Sequence, residues 1–116
     1  MDIKHYCIEK GHGEKLILLH GNDENSDSFA GQIDLFSKYF HVYAIDTRGH
    51  GRTPRGEEPF TISQFADDLY EFMKHRGISK ATLLGFSAGG NIALLFAIIS
   101  SYACSKVKSI FSTLAC

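Results

Sequence analysis

Residues 80–90 read KATLLGFSAGG: a short apolar run, then Gly85-x-Ser87-x-Gly89, then one more glycine. The run Lys80–Phe86 has the length and bulk of a strand buried on both faces. Beyond the glycines, Ala88–Ala103 is apolar nearly all round, which predicts a buried helix. A serine at a sharp strand-to-helix turn is lifted above the edge of the sheet, where its hydroxyl is accessible. The glycines on either side are required because a Cβ at 85 or 89 would collide with neighbouring backbone. Ser87 is therefore read as a nucleophile. The bland alternative is a small residue in a tight turn, and the rest of the chain decides between them.

The pattern extends in both directions. Lys15–Gly21 is a second continuous apolar run, ending at His20-Gly21. Phe29, Ile33, Phe36 and Phe40 recur at helical spacing, which predicts an amphipathic helix or helical turn over 26–40. Phe40–Thr47 reads as a strand, closed by the glycine-rich loop TRGHGRTPRGEEP at 47–59. Thr61 and Gln64 form a capping box, with the Gln64 side chain expected to reach back. Ile62, Phe65, Leu69, Phe72 and Met73 then line one helix face. His75 and Arg76 suit the negative helix end, and Gly77 stops it. Residues 106–115 predict a last strand, and residues 3–11 a first one. Strands that alternate with helices imply a mostly parallel sheet with helices on both faces, in a single domain spanning 1–116.

The bulk properties exclude several functions. The chain has 116 residues and a formal net charge of −1, so nothing points to nucleic acid or an anionic membrane as partner. The longest apolar stretch, Ile92–Ile99, is far short of the ~20 residues a span needs. Cys7, Cys104 and Cys116 are scattered and odd in number, which fits reduced thiols in the cytoplasm better than a disulfide framework or a metal site. The N-terminal MDIKHYCIEKG has no secretory apolar core. There is no GxGxxG spacing and no GK[ST], so no nucleotide cofactor is expected.

In open parallel sheets, ligands bind beyond the carboxyl ends of the strands. That places His20-Gly21-Asn22 beside Ser87. The mechanism assigns attack to Ser87 and the oxyanion hole to the backbone N–H groups of Asn22 and Ala88. His20 is a candidate base by position, although a loop-shaping role outranks it. His50 is read as a loop-fixing residue. Asp23, Glu24 and Asp27 are read as solvated or helix-capping.

The segments LILLHGN, YAIDTRGHGRTPRG and FTISQFADDLYEFMKHRGISKATLLGFSAGGNIALLFA together resemble the α/β-hydrolase fold superfamily, in particular its small bacterial serine hydrolases. The resemblance covers residues 15 to about 99. It implies a cofactor-free hydrolase acting on a small-molecule ester, lactone or related acyl compound. It also implies that Asp46 and Arg48–Gly51 shape a loop without being catalytic. Position 88 often carries Asp in that pattern and here carries Ala, which leaves the backbone donor in place.

In this fold the order along the chain is nucleophile, acid, histidine. After Ser87 the sequence contains no Asp, Glu or His. The expectation is therefore the N-terminal part of such a fold, truncated near the sixth strand, with the triad acid and histidine elsewhere and little activity of its own. The alternative is a non-catalytic module that self-associates, or binds a second polypeptide, through its exposed sheet edge.

Overall fold

The computed structural model describes residues 4–21, 25–57, 61–86, 88–100 and 104–110, the last segment after Cys104 by its backbone. Among these residues the chain forms five strands and three helices: β1 Cys7–Lys10, β2 Lys15–Leu19, α1 Ala30–Phe36, β3 His41–Ile45, α2 Ile62–Arg76, β4 Ala81–Phe86, α3 Ala88–Ile99 and β5 Cys104–Ile110. The sheet order is β1-β3-β2-β4-β5. β2 is parallel to β3 and to β4, and β4 is parallel to β5. β1 is antiparallel to β3 at one edge.

The apolar runs become strands because both of their faces are covered. Ile17, Leu19, Tyr43, Ile45 and Leu83 point to one side, where they meet Phe65, Leu69, Phe72 and Met73 of α2 and Ile92 and Phe96 of α3. Leu16, Leu18, Val42 and Ala44 point to the other side, against Phe29 and Ile33. Each such aliphatic or aromatic side chain, fully buried, contributes about 1.5–3 kcal/mol. Period-2 alternation thus sorts one strand into two cores.

α2 begins and ends at the expected residues. The Thr61 hydroxyl accepts the Gln64 amide at 3.0 Å, and Gly77 takes the left-handed conformation with φ of 68°. The Gln64 side chain does not reach back. It donates to Asp68 Oδ1 at 3.0 Å, because that buried carboxylate requires donors.

The expectations for α3 and β5 are corrected. The segment 26–40, expected as a helix or helical turn, is a 3-10 turn, Ser26–Phe29, followed by the short α1. Its cap is Asn25, whose Oδ1 accepts the Asp27 amide at 2.9 Å. The Ser37 hydroxyl donates to Asp34 O at 3.0 Å, a local bond of the kind that competes with helix continuation. The helix over 88–103 stops at Ile99, and strand β5 starts at Cys104, two residues earlier than the pattern at 106 indicated. Cys104 is held opposite Ala81 by the ladder with β4, across a register shift. Finally, α3 is not buried all round: Leu94 is 40% and Ile98 77% exposed, while Ile92, Ala93 and Phe96 are sealed.

Candidate active site

β4 delivers the chain to its turn at Phe86, and α3 starts at Ala88. A strand and a helix separated by one residue require a tight reversal. The two glycines make it possible. A Cβ on Gly85 would lie within 3.0 Å of the Gly89 carbonyl and the Gly90 nitrogen. A Cβ on Gly89 would lie as close to the carbonyl oxygens of Leu19 and His20. All these obstacles are backbone and cannot swing aside. The first turn of α3 is therefore pressed against the end of β2. This brings the Ala88 end of the helix to the His20-Gly21 segment. Ser87 and Asn22 themselves lie outside the described residues.

His20 is buried, at 2% exposure, and it is spoken for. Its Nε2 accepts the Thr47 amide at 3.1 Å, with Thr47 Oγ1 at 3.2 Å from the same nitrogen. Nδ1 then carries the proton and donates to Gly21 O at 2.7 Å. The ring ties the end of β2 to the loop after β3, which is the loop-shaping role. A base needs an unoccupied nitrogen lone pair, and the one on Nε2 is engaged with a backbone N–H.

The loop after β3 is fixed by a second buried group. Asp46 Oδ1 accepts the Ser26 amide at 2.6 Å and Oδ2 accepts the Arg52 amide at 2.9 Å. Its carbonyl accepts the Thr53 hydroxyl at 2.7 Å, and the Thr53 oxygen in turn accepts the Tyr6 amide at 2.9 Å. One carboxylate thus clamps the loop after β2 to the loop after β3. His50 adds to this: its Nδ1 is 3.1 Å from both Thr47 Oγ1 and the Arg48 carbonyl.

Arg48 is 1% exposed. Its Nε and Nη2 donate to the two oxygens of Asp68 at 2.8 and 2.7 Å, and Nη1 donates to Arg55 O at 3.1 Å. This fork-to-fork pair braces the loop against α2. The space beside it, lined by residues that include His5, Leu19, Phe65 and Phe72, is about 10 Å³. That is room for about one water molecule, too small for a substrate. Composition offered no signal for the pairing of Arg48 with Asp68. A buried carboxylate on an apolar helix face, one turn from Gln64, was the available hint.

His5 also sits here, edge-on to Phe72 with ring centroids 6.0 Å apart. Burial lowers its pKa; Asp68 opposes the shift and Arg48 adds to it. Among the described residues no group of three His, Cys, Asp or Glu side chains is arranged to hold a metal ion. No helix among them is long and apolar enough to cross a membrane.

The family model for the alpha/beta hydrolase fold matches residues 15–115. The chain belongs to that family. A hydrolase from Acinetobacter baylyi, named for (E)-2-((N-methylformamido)methylene)succinate, is 33% identical over 76% of this chain and 33% of its own length. Mouse epoxide hydrolase 3 is 34% identical over 81% of the chain and 26% of its own length. A marine microorganism esterase superimposes with a TM-score of 0.89 at 31% identity, over 93% of this chain and 41% of that one. The chain thus spans about a quarter to a third of the length of these curated relatives. In this hydrolase-fold chain, the matched span contains the elbow glycines, the His20-Gly21 segment and the Asp46 clamp.

Proposed function

We propose that this chain carries the nucleophile-bearing part of a serine hydrolase acting on an ester, lactone or related acyl bond. The observation that supports this most is the close backbone approach at Gly85 and Gly89, which leaves no room for a Cβ and permits the tight reversal between Phe86 and Ala88. In this reading Ser87 Oγ attacks the acyl carbonyl. The amides of Ala88 and Asn22 donate to the oxygen as it becomes an anion. The alkoxide leaving group departs, and water hydrolyses the resulting acyl-serine. No cofactor takes part. A serine rather than a carboxylate at the elbow favours acyl transfer over the epoxide opening for which one relative is named.

The proton acceptor and its carboxylate partner are not supplied after Ser87, where the sequence has no Asp, Glu or His. With His20 engaged at both nitrogens, we infer that they come from a segment beyond these residues or from a second polypeptide. The 116 residues alone would then turn over substrate orders of magnitude below a complete triad. The three scattered cysteines favour a cytoplasmic setting.

A second reading has its own observation. β5 pairs on one side with β4, and among the described residues it has no strand on the other. A non-catalytic module would use that edge to pair with a second copy or another chain. Light-scattering mass separates these: a clean monomer at micromolar concentration argues against self-association.

The experiment for the enzymatic reading is intact-mass labelling with a fluorophosphonate, with Ser87→Ala as control. Adduct formation that vanishes in the variant supports an activated Ser87. A folded chain that takes no label is what a base supplied from elsewhere predicts, whereas fast Ser87-dependent labelling would overturn that inference and place an activating group within these residues.

A further inference from the structure

We propose that the groove between the lead into β1, the loop after β3 and the end of α2 is a binding site for a phosphate group. The groove measures about 320 Å³ and is lined by Lys4, His5, Tyr6, Cys7, Arg52 and Arg76. That volume lies at the small end of ligand pockets, which run roughly 300–1,000 Å³. Three cationic side chains from three separate segments converge on it. Such convergence, unlike a run of lysines on one helix, is a property of the fold.

The geometry pre-orders two of the three. The Arg52 guanidinium lies over the Tyr6 ring, 4.6 Å from its centroid. The Arg76 guanidinium lies over Phe72 at 5.1 Å and donates to Glu9 Oε1 and Cys7 Sγ, both at 3.1 Å. A guanidinium carries five N–H donors, so Arg52, and Arg76 beyond the two N–H it gives to Glu9 and Cys7, have donors left for an oxyanion. The neighbouring carboxylates offset the three cations only in part. Glu9 pairs with Arg76 and is shared with His41. Asp46 is held by the neutral backbone amides of Ser26 and Arg52 and keeps its charge, while Asp68 is paired with Arg48. Cys7 adds no negative charge, since burial raises its thiol pKa. Positive charge is left in excess, on groups held in place, around an open concavity. The groove lies at the β1 side of the sheet, with β3 and β2 between it and the strand that leads to position 87. It is therefore a separate site, and its test does not depend on Ser87.

The test is a titration of the purified full chain with sodium phosphate at constant ionic strength, followed by NMR of the Arg Nε–H and Lys side-chain signals. Saturable shifts at Arg52 and Arg76 are expected, with affinity reduced at least fivefold in Arg52→Gln and in Lys4→Gln. Both side chains are exposed, so neither change threatens the fold. Lys38→Gln, on the far side of β3, should leave the titration unchanged. Phenyl phosphate in parallel identifies the source: tighter binding than inorganic phosphate points to an organic phosphate, equal binding to the phosphate group alone. Shifts that never saturate, acetate binding as well as phosphate, or an affinity untouched by both variants would each overturn the proposal.

Discussion

At the scale of single residues, the positions that matter most are those with no room. Gly31 and Gly89 are both helical glycines, yet their surroundings are opposite. Nothing lies within 4 Å of a Cβ built on Gly31, whereas one on Gly89 meets two carbonyls of β2's end. Gly31→Ala should stabilise the chain by about 0.5–1 kcal/mol through helix propensity. Gly89→Ala should destabilise it by about 1–3 kcal/mol or more through forced backbone movement. Urea unfolding of the two variants beside the parent checks both signs. The elbow glycines were legible in the sequence because their spacing has a steric meaning. The partners of Asp46, Arg48 and His20 were not, because they depend on which loops meet, and spacing along the chain does not carry that information.

Arg48 and Asp68 make a second residue-scale case. Removing one member of a buried pair leaves the other charge without compensation, at a cost of about 3–5 kcal/mol. Asp68→Ala should therefore destabilise far more than Asp67→Ala, a change on the neighbouring exposed position. Thermal unfolding of the pair of variants decides it. Equal midpoints would mean that water or Arg55 O suffices for the guanidinium.

At the scale of elements, the strands and α2 were legible and the ends of the other helices were not. α2 carries its own start and stop in Thr61 and Gly77, so local chemistry and tertiary packing agree. α3 has no such stop. Its end is set by the ladder that captures Cys104 opposite Ala81, which is a long-range event. The turn at Ser26 was hidden for another reason: Asn25 caps it from within a run of polar residues that offers several candidates. The lead into β1 has a pH signature. His5 has a folded-state pKa below its ordinary 6.5, chiefly from burial. The unfolded chain thus binds a proton more readily, and stability falls as pH drops below about 6.5 toward the folded-state value. Melting between pH 7.5 and 5 should show this decline, and His5→Gln should flatten it. An unchanged slope in the variant would assign the acid sensitivity in this window to other groups. Glu9 has its pKa lowered by its hydrogen bond to His41, so its contribution is present above the ordinary carboxylate range and lost at more acidic pH.

At the scale of the whole molecule, the jam of Gly89 against the ends of Leu19 and His20 has a consequence in time. The contact joins the second strand to the third helix, segments far apart in the chain, across two intervening strands, two helices and their loops. Loop-closure entropy makes such contacts late to form. A nascent or partly collapsed chain can hold the GFSAGG sequence and even its flanking helix without the reversal being enforced. The serine would then be an ordinary alcohol until the sheet closes. On the proposed function its chemistry would switch on only once this contact has formed and the base from elsewhere is in place, and in that complete assembly a serine-directed probe would serve as a clock for folding as well as an assay.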